Sequence, residues 1–347
     1  MKILTVIGAR PQFVKASVIS REIASLNGIK EIIVHTGQHF DKNMSQIFFN
    51  QMNIPFPDYN LNINSLPHGA LTGRMIQGIE QIIMKEKPDW IIVYGDTNST
   101  LAGALAGKKL QYKIAHIEAG LRSFNNNMPE EINRLLTDKI SDLLFCPTST
   151  AVENLALEGI TGSKVVLSGD IMLDAFLYYL PQAKAPKIII PSKFILSTVH
   201  RPENTDDPVI MNNIFRALNH IAKEIPLIIP LHPRTEQLID KTQFDNITFI
   251  QPVGYFEMLY LLQHCSLVLT DSGGLQKEIF FMKKPCVTLR EETEWTELIQ
   301  NGFNVLAGSD YNNIISSTSI MLNKEIDFSL ELYGKGNARK IILSELI

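Results

Sequence analysis

The sequence contains few cysteines and no long apolar run. Its three cysteines among 347 residues are odd in number and far apart, which excludes a disulfide scaffold; each follows or lies in an apolar stretch (Cys146, Cys265 and Cys286). No apolar run approaches the ~18 residues that a membrane helix needs. Residues 1–6 enter a strand-like segment directly and lack the charged start and cleavage site of a signal peptide. We therefore expect a cytoplasmic protein with buried thiols and no membrane partner.

The sequence also lacks an excess of positive charge. Lysine and arginine total 32 and the acids 36, so the net charge is −4 and the pI is about 6.1. This balance gives no electrostatic reason to bind nucleic acid. Apolar residues make up 45% of the chain and charged residues 20%, which is typical of a globular protein. At about 150 residues per domain, the length favours two domains.

The motifs of several cofactor and nucleophile sites are missing. No G-x-G-x-x-G follows the first strand and no G-x-x-x-x-G-K-[ST] occurs, so nicotinamide and P-loop sites lose support. His35, His39 and His116 have no acidic or cysteine partner at the spacing of metal ligands. No cysteine–histidine or G-x-S-x-G arrangement marks a nucleophile. We therefore predict no metal and no cofactor.

Short apolar runs recur along the chain in two series, separated by longer amphipathic segments. Most runs are rich in β-branched residues and too short for helices, which is typical of parallel strands buried on both faces. Segments 98–108 and 129–144 favour crossover helices. The pattern predicts an α/β fold with two parallel sheets. The predicted strands are residues 3–7, 31–34, 90–94, 114–117, 143–146 and 165–167, then 194–199, 227–230, 247–250, 267–270 and 285–289.

Three prolines five residues apart, Pro181, Pro186 and Pro191, lie between the two series of strands. We place the hinge nearby, at residues 169–170 or slightly later. This predicts domains over residues 1–169 and 170–336, followed by a helix over residues 337–347. Because ligands of open parallel sheets bind beyond the carboxyl ends of the strands, two such domains predict a site in the cleft between them.

One strand of the second series is followed by Asp271, Ser272, Gly273 and Gly274, and then by a helix. Free N–H groups and the helix dipole attract an anion to a helix start, and glycines let a phosphate approach the backbone. Glu278, about one turn into the helix, could accept hydrogen bonds from two ribose hydroxyls. The alternative interpretation is a tight turn whose serine caps the helix.

Charged residues also follow the strands of the first series. Arg10 and Lys15 could neutralise a pyrophosphate, or they could form a solvated pair. Asp96 could cap the next helix, and Glu130 could simply favour a helix N-terminus. Glu118 is harder to explain structurally, because it follows an apolar strand where a free carboxylate is costly. In the second series His200 follows a strand, and alone it would more often be structural than catalytic.

Six short motifs occur in a fixed order along the chain. They are GARP at residues 8–11, YGDT at 94–97, HIEAGLR at 116–122, PEEINR at 129–134, HR at 200–201 and TDSGGLQ at 270–276. Together they resemble the non-hydrolysing UDP-N-acetylglucosamine 2-epimerases over essentially the whole chain. The resemblance implies a GT-B-like fold of two Rossmann-type, doubly wound parallel-sheet domains with an interdomain cleft. It also implies a last helix that crosses back onto the first domain, a homodimer, and no metal or nicotinamide.

Several positions depart from the commoner family pattern. They are Ala9 and Gln12 instead of Thr and Glu, Pro202 instead of a second Arg, Trp295 and Thr296 instead of Arg-Pro, and Phe40 after Gln38 and His39 instead of Arg-Glu. With residues 43–45 and 125–128, these variants resemble the branch acting on UDP-2,3-diacetamido-2,3-dideoxyglucuronate. The Phe40 difference counts against the allosteric UDP-GlcNAc site of some members. A uronate would need an extra cation, and the candidates are Arg122, Arg201, Arg234 and Arg290.

The resemblance implies an elimination–addition reaction for surface polysaccharide biosynthesis. UDP leaves C1 while a base takes H2, and the 2-acetamidoglucal is protonated on the other face as UDP re-adds. Position by position, the implied catalytic residues are Asp96, Glu118, Glu130 and His200. The implied nucleotide-binding residues are Arg10, Lys15, Ser272, Gly273, Gly274 and Glu278, with the backbone around residues 253–258, including Met258, reading uracil.

Three other functions share part of this pattern. A GT-B glycosyltransferase has the same architecture and nucleotide site but requires an acceptor. A non-catalytic UDP-sugar-binding protein would bind without exchanging the C2 proton. A hydrolysing epimerase would release free N-acetylmannosamine, but such enzymes usually carry a kinase fusion, for which this chain has no room.

Overall fold

The computed structural model describes residues 1–38 and 55–347, with Arg10 described by its backbone alone. The chain divides into two compact units, Met1–Leu177 with Glu331–Ile347, and Tyr178–Leu330. The expectations placed on His39, Phe40 and residues 43–45, and on the Arg10 side chain, lie outside the described part. In the described part, no helix is both long and apolar enough to cross a membrane.

The first unit contains one parallel sheet, whose strand order in the described residues is β3-β2-β1-β4-β5-β6-β7. Strands β1, β4 and β5 lie side by side at its centre, and every pairing is parallel. The carboxyl ends of these three strands therefore meet at one edge of the sheet. The strands are β1 Lys2–Ile7, β2 Lys30–His35, β3 Tyr59–Asn60, β4 Trp90–Tyr94, β5 Lys113–Ile117, β6 Leu143–Cys146 and β7 Val165–Leu167.

Helices cover both faces of this sheet. Thr97 and Thr148 cap two of them, since each threonine side chain accepts a hydrogen bond from a backbone N–H three residues later. The helix predicted over 129–144 ends at Ile140, because Ser141 is extended and β6 follows. The helices are α1 Arg10–Ala24, α2 His68–Glu86, α3 Asn98–Lys109, α4 Pro129–Ile140, α5 Ser149–Leu157, α6 Ile171–Tyr179 and, at the C-terminus, α14 Ala338–Leu346.

The second unit repeats the architecture, with a parallel sheet of order β10-β9-β8-β11-β12-β13 in its described residues. Strands β8 and β11 are its central neighbours. Its strands are β8 Ile195–Thr198, β9 Leu227–Pro230, β10 Ile247–Ile250, β11 Leu267–Thr270, β12 Cys286–Thr288 and β13 Asn304–Leu306. Its helices are α7 Pro202–Thr205, α8 Pro208–Ile221, α9 Pro233–Leu238, α10 Tyr255–His264, α11 Gly273–Phe281, α12 Thr296–Gln300 and α13 Tyr311–Asn323.

Two doubly wound parallel sheets confirm the predicted α/β fold of two Rossmann-like domains. The edge strands β3, of two residues, and β13, of three, were not predicted. The two units end a few residues away from the predicted limits. Helix α6 belongs mostly to the first unit because Asp174 accepts hydrogen bonds from the backbone N–H groups of Ala338 and Arg339, at 3.0 and 3.2 Å.

Candidate functional site

The residue following β5, Glu118, forms a buried ion pair with Lys15 of α1. The Lys15 Nζ contacts Glu118 Oε2, and their side chains are only 9% and 8% exposed. A Cβ on Gly95, which follows β4, would lie 3.2 Å from that Oε2 and 3.5 Å from the Nζ. Lys15 is therefore not half of a solvated pair, as one sequence interpretation allowed, but the counter-ion of the acid that the sequence singled out.

Asp96 follows β4 and does not cap a helix. Its Oδ2 lies 2.5 Å from Nη2 of Arg134, and its backbone carbonyl accepts a hydrogen bond from Asn133 Nδ2 at 2.9 Å. Thr97, the next residue, caps α3 instead. The interpretation of Asp96 as a cap is therefore wrong, and its carboxylate, whose side chain is 34% exposed, lies in an ion pair with Arg134.

The adjacent acids at the start of α4 differ sharply in their surroundings. Glu130 is exposed, whereas Glu131 is buried. The Glu131 carboxylate accepts hydrogen bonds from the Ser123 backbone and hydroxyl at 2.9 and 2.8 Å and from the Phe124 N–H at 3.1 Å. It also lies 2.9 Å from Arg134 Nη1. Glu131 therefore holds the preceding loop, and Glu130 is the acid that reaches solvent.

A second buried charge cluster supports the loop that contains Glu118. His116 Nδ1 lies 2.7 Å from Asp138 Oδ1, and Arg122 Nη1 lies 2.8 Å from Asp138 Oδ2. Arg122 also makes two bonds to Glu158, at 2.6 and 2.9 Å. Burial alone would raise the pKa of Asp138, but His116 and Arg122 outweigh burial and hold the pKa below its usual value. Nothing in the sequence pointed to Asp138, because it follows His116 by 22 residues at no recognised spacing.

In the second unit, α11 begins with two glycines, Gly273 and Gly274, directly after Ser272. Ser272 precedes the helix, but its side chain makes no capping hydrogen bond, so the interpretation as a serine cap is wrong. A Cβ on Gly273 would lie 2.2 Å from Glu294 Oε1, whereas a Cβ on Gly274 would meet no heavy atom within 4 Å. Trp295 Nε1 donates to the Gly273 carbonyl at 2.9 Å. The turn is therefore fixed on one side and open on the other.

Asp271 connects this turn to the loop that carries His200. Its Oδ2 accepts hydrogen bonds from the backbone N–H groups of His200 and Arg201 at 2.8 and 2.9 Å, and its Oδ1 lies 3.2 Å from His200 Nδ1. Burial alone would raise the pKa of Asp271, but these bonds outweigh burial and lower it. The His200 side chain remains 34% exposed, so its ring is accessible.

Glu278 lies inside α11 and its carboxyl is shielded from water. Burial raises its pKa to about 7, and interactions with the Tyr255 hydroxyl and the Lys277 ammonium only partly offset that shift. The nearby Met258, on α10, is partly buried and packs against the core. A carboxyl with this pKa loses its proton readily when a ligand offers hydrogen-bond donors.

Of the four arginines proposed for a sugar carboxylate, two lie beside the turn. Arg290 Nη1 is 2.9 Å from Glu294 Oε2, and Arg201 Nη2 is 3.4 Å from the position of a Gly273 Cβ. Arg122 is committed to its buried acids, and Arg234 pairs with Asp206. Lys277 Nζ lies 4.1 Å from the centre of the Trp295 ring. The turn therefore lies among several cations.

Comparisons with known proteins agree on one family. Residues 21–347 match the family model described as UDP-N-acetylglucosamine 2-epimerase. The chain is 55% identical to UDP-2,3-diacetamido-2,3-dideoxy-D-glucuronate 2-epimerase of Pseudomonas aeruginosa, covering 100% of this chain and 99% of that protein. It is 32% identical to UDP-N-acetylglucosamine 2-epimerase of Escherichia coli, covering 100% and 98%.

Solved structures give the same result. The crystal structure of Methanocaldococcus jannaschii UDP-GlcNAc 2-epimerase in complex with UDP-GlcNAc and UDP superposes with a TM-score of 0.89 at 41% identity, covering 100% of this chain and 99% of that one. UDP-GlcNAc 2-epimerase from Neisseria meningitidis bound to UDP-GlcNAc gives 0.89 at 32% identity, with the same coverage. The chain therefore belongs to the UDP-N-acetylglucosamine 2-epimerase family and is an isomerase.

Proposed function

We propose that the protein is the non-hydrolysing 2-epimerase of UDP-2,3-diacetamido-2,3-dideoxyglucuronate and acts in the cytoplasm on a precursor of surface polysaccharide. The main support for this reaction is the buried Glu118–Lys15 ion pair, which lies beside Asp96 at the carboxyl edge of the first sheet. The 55% identity to the Pseudomonas aeruginosa enzyme supports the choice of sugar. The three cysteines, which are buried free thiols, are compatible with a reducing compartment.

The proposed reaction eliminates UDP and adds it back. Glu118 takes H2 from C2, the C2–H electron pair forms the C1=C2 double bond, and the C1–O bond breaks with its electrons on UDP. In the return step the UDP oxygen attacks C1, and Asp96, protonated from solvent, delivers that proton to the other face of C2, while Glu118 releases the proton it took to solvent. Two groups on opposite faces are what inversion at C2 requires. Glu130 supports this pair, and Lys15 balances the buried charge of Glu118.

The leaving nucleotide is proposed to bind at the N-terminus of α11. Ser272, Gly273 and Gly274 present backbone N–H groups to the diphosphate, where negative charge grows as the C1–O bond breaks. Glu278 accepts the ribose hydroxyls, and Arg10 and His200 complete the site. The backbone around Met258 forms the hydrogen bonds that recognise uracil.

The carboxylate of the sugar is proposed to bind near Arg201 and Arg290. Arg290 pairs with the Glu294 carboxylate and Arg201 also lies near it, so two guanidinium groups lie beside this turn. Arginine offers paired donors in the geometry that a carboxylate accepts. Commoner family members have an arginine at the position of Trp295. This replacement beside Arg201 and Arg290 agrees with a substrate whose sugar differs from N-acetylglucosamine.

A homodimer is also part of the proposal. Ile132 and Leu136 lie one turn apart on α4 and are 47% and 46% exposed, and Phe124 in the preceding loop is 73% exposed. Apolar side chains grouped on an exposed helix favour burial against a second copy. Because α4 also carries Arg134, such an interface would lie close to the catalytic acids.

Proton NMR in deuterium oxide tests the proposed function. The purified protein is incubated separately with UDP-GlcNAc and with UDP-2,3-diacetamido-2,3-dideoxyglucuronate, and loss of the H2 signal and formation of the manno epimer are followed. We expect turnover of the uronate alone. Turnover of UDP-GlcNAc alone would mean that UDP-GlcNAc is the substrate instead of the uronate. Binding of both sugars without exchange would favour a non-catalytic binding protein. Turnover only with an added acceptor would favour a glycosyltransferase, and release of free sugar a hydrolase.

Replacing Gly274 by Ala should change stability and binding in opposite directions. The new methyl group enters open space, and alanine in a helix is favoured over glycine by about 0.5–1 kcal/mol, so the melting temperature should rise slightly. The same methyl group occupies the path of the diphosphate, and we expect UDP affinity to fall about 100-fold.

Gly73→Ala provides the matched control for this prediction. Gly73 lies in α2 of the first unit, and a Cβ there also meets nothing within 4 Å. This variant should gain similar stability and bind UDP as the unchanged protein does, in calorimetric titrations. Unchanged UDP affinity in Gly274→Ala would move the diphosphate away from this turn.

A further inference from the structure

His116 is a fully buried residue that contacts both loops carrying the proposed catalytic acids. Its Nε2 lies 2.7 Å from the Gly95 carbonyl oxygen, and its Nδ1 lies 2.7 Å from Asp138 Oδ1. Because a carbonyl oxygen can only accept, Nε2 must donate to Gly95. Nδ1 faces the Asp138 carboxylate. The imidazole therefore bridges the Gly95 carbonyl and Asp138.

Gly95 lies between the two acids. It precedes Asp96 in the chain, and its N–H donates to the Ile117 carbonyl at 2.9 Å, next to Glu118. A Cβ on Gly95 would lie 3.2 Å from Glu118 Oε2. A shift of this peptide would therefore move Asp96 relative to Glu118, so the position of Gly95 contributes to the separation of the two acids.

The loop behind Glu118 needs external support. Glu118 has a φ of +74°, in the left-handed region that costs a residue with a side chain of order 1 kcal/mol or more. Such a conformation persists only where its surroundings enforce it. Asp138 Oδ2 accepts a hydrogen bond from the Gly120 N–H at 3.1 Å and lies 2.8 Å from Arg122 Nη1. One carboxylate thus holds the loop on the far side of Glu118.

We propose that His116 and Asp138 are a pair of positioning residues that sets the separation of Asp96 and Glu118 for proton transfer. His116 holds the Gly95–Asp96 peptide, and Asp138 holds both the imidazole and the loop that follows Glu118. Neither side chain reaches solvent, so neither contacts the substrate. The inference rests on the proposed function, because it assumes that Asp96 and Glu118 are the two proton-transfer groups.

Two amide substitutions test the two hydrogen bonds of the imidazole one at a time. The side-chain nitrogen of asparagine lies near the place of the imidazole Nδ1, and that of glutamine near the place of Nε2. His116→Asn therefore keeps the link to Asp138 and loses the link to Gly95, whereas His116→Gln does the reverse. We expect kcat for epimerisation to fall about 100-fold in His116→Asn, as a displaced catalytic group does. His116→Gln should stay within about fivefold of the original rate.

UDP affinity should be unchanged in both variants, because most residues of the proposed nucleotide site lie on or beside α11 in the other unit and His116 contacts none of them. Equal kcat values for the two amides, or a loss of UDP affinity equal to the loss of kcat, would overturn the inference. Trp90→Phe is the control for stability alone. It removes a hydrogen bond of 3.1 Å to the Leu346 carbonyl at the opposite end of β4, and should lower the melting temperature without changing kcat.

If His116→Asn does not fold, Asp138→Asn keeps the shape of the cluster and should also lower kcat while UDP affinity is preserved. A folded Asp138→Asn protein with unchanged kcat would overturn the inference. Asp96→Asn and Glu118→Gln are measured in parallel. If these two variants remain active, the proposed catalytic residues are wrong. If they are inactive while the His116 variants keep the original kcat, the positioning pair alone is wrong.

Discussion

Replacing Glu118 by glutamine should lower the rate of H2 exchange with solvent deuterium by about 1,000-fold. A positioned general base contributes roughly 100- to 10,000-fold, and glutamine cannot accept a proton from carbon. The substitution keeps the size of the side chain and one oxygen acceptor for Lys15. The loss should therefore be one of catalysis, with the fold maintained.

Two measurements separate this loss from a general defect. UDP binding by calorimetry should be retained, because the proposed anion site lies on α11 in the other unit. Asp174→Asn is the matched control, since Asp174 is also a buried acid, 2.7 Å from Arg339 Nη1, but lies on α6 and binds the start of α14. It should leave exchange intact. Exchange at the original rate in Glu118→Gln would remove Glu118 from the base role.

Replacing Glu278 by glutamine should make the free protein more stable at pH 8 and bind UDP more weakly. An acid whose pKa rises from 4.5 to about 7 on folding destabilises the folded state when it is ionised. That penalty is absent below pH 4.5, grows as the pH rises to 7, and is complete above it. Removing it should stabilise the protein at pH 8 by roughly 3 kcal/mol, and the gain should vanish near pH 4.5.

The effect of the same substitution on binding has the opposite sign. Hydrogen bonds to a charged acceptor contribute about 1.5–3 kcal/mol each, so losing the carboxylate should weaken UDP binding about 100-fold. The unchanged protein should lose UDP affinity below pH 7 more steeply than the variant, because only it must release a proton. Tyr255 and Lys277 face the carboxyl and are present in both proteins. Thermal melts and titrations from pH 5 to 8 check both predictions, and parallel pH profiles would contradict the ribose role.

The local pattern of the chain was enough to predict most of the fold. Strands β8 and β11 follow from short β-branched runs, since a strand buried on both faces needs apolar residues at every position. The start of α11 follows from Ser272 and two glycines for a similar reason, because turn and helix-start preferences act over a few residues. The sequence also singled out Glu118, since an acid next to an apolar strand is costly unless it is paired.

What only the tertiary structure decided was the partner of each charge. Lys15 and Glu118 are 103 residues apart, and Asp96 and Arg134 are 38 apart, so neither pair has a spacing that a sequence can reveal. Asp138 had no signal of its own, and Glu130 and Glu131 looked equivalent until one proved buried and the other exposed. The physical reason is that helix and strand preferences are local, whereas ion pairing and burial depend on which strand ends the sheet order brings together.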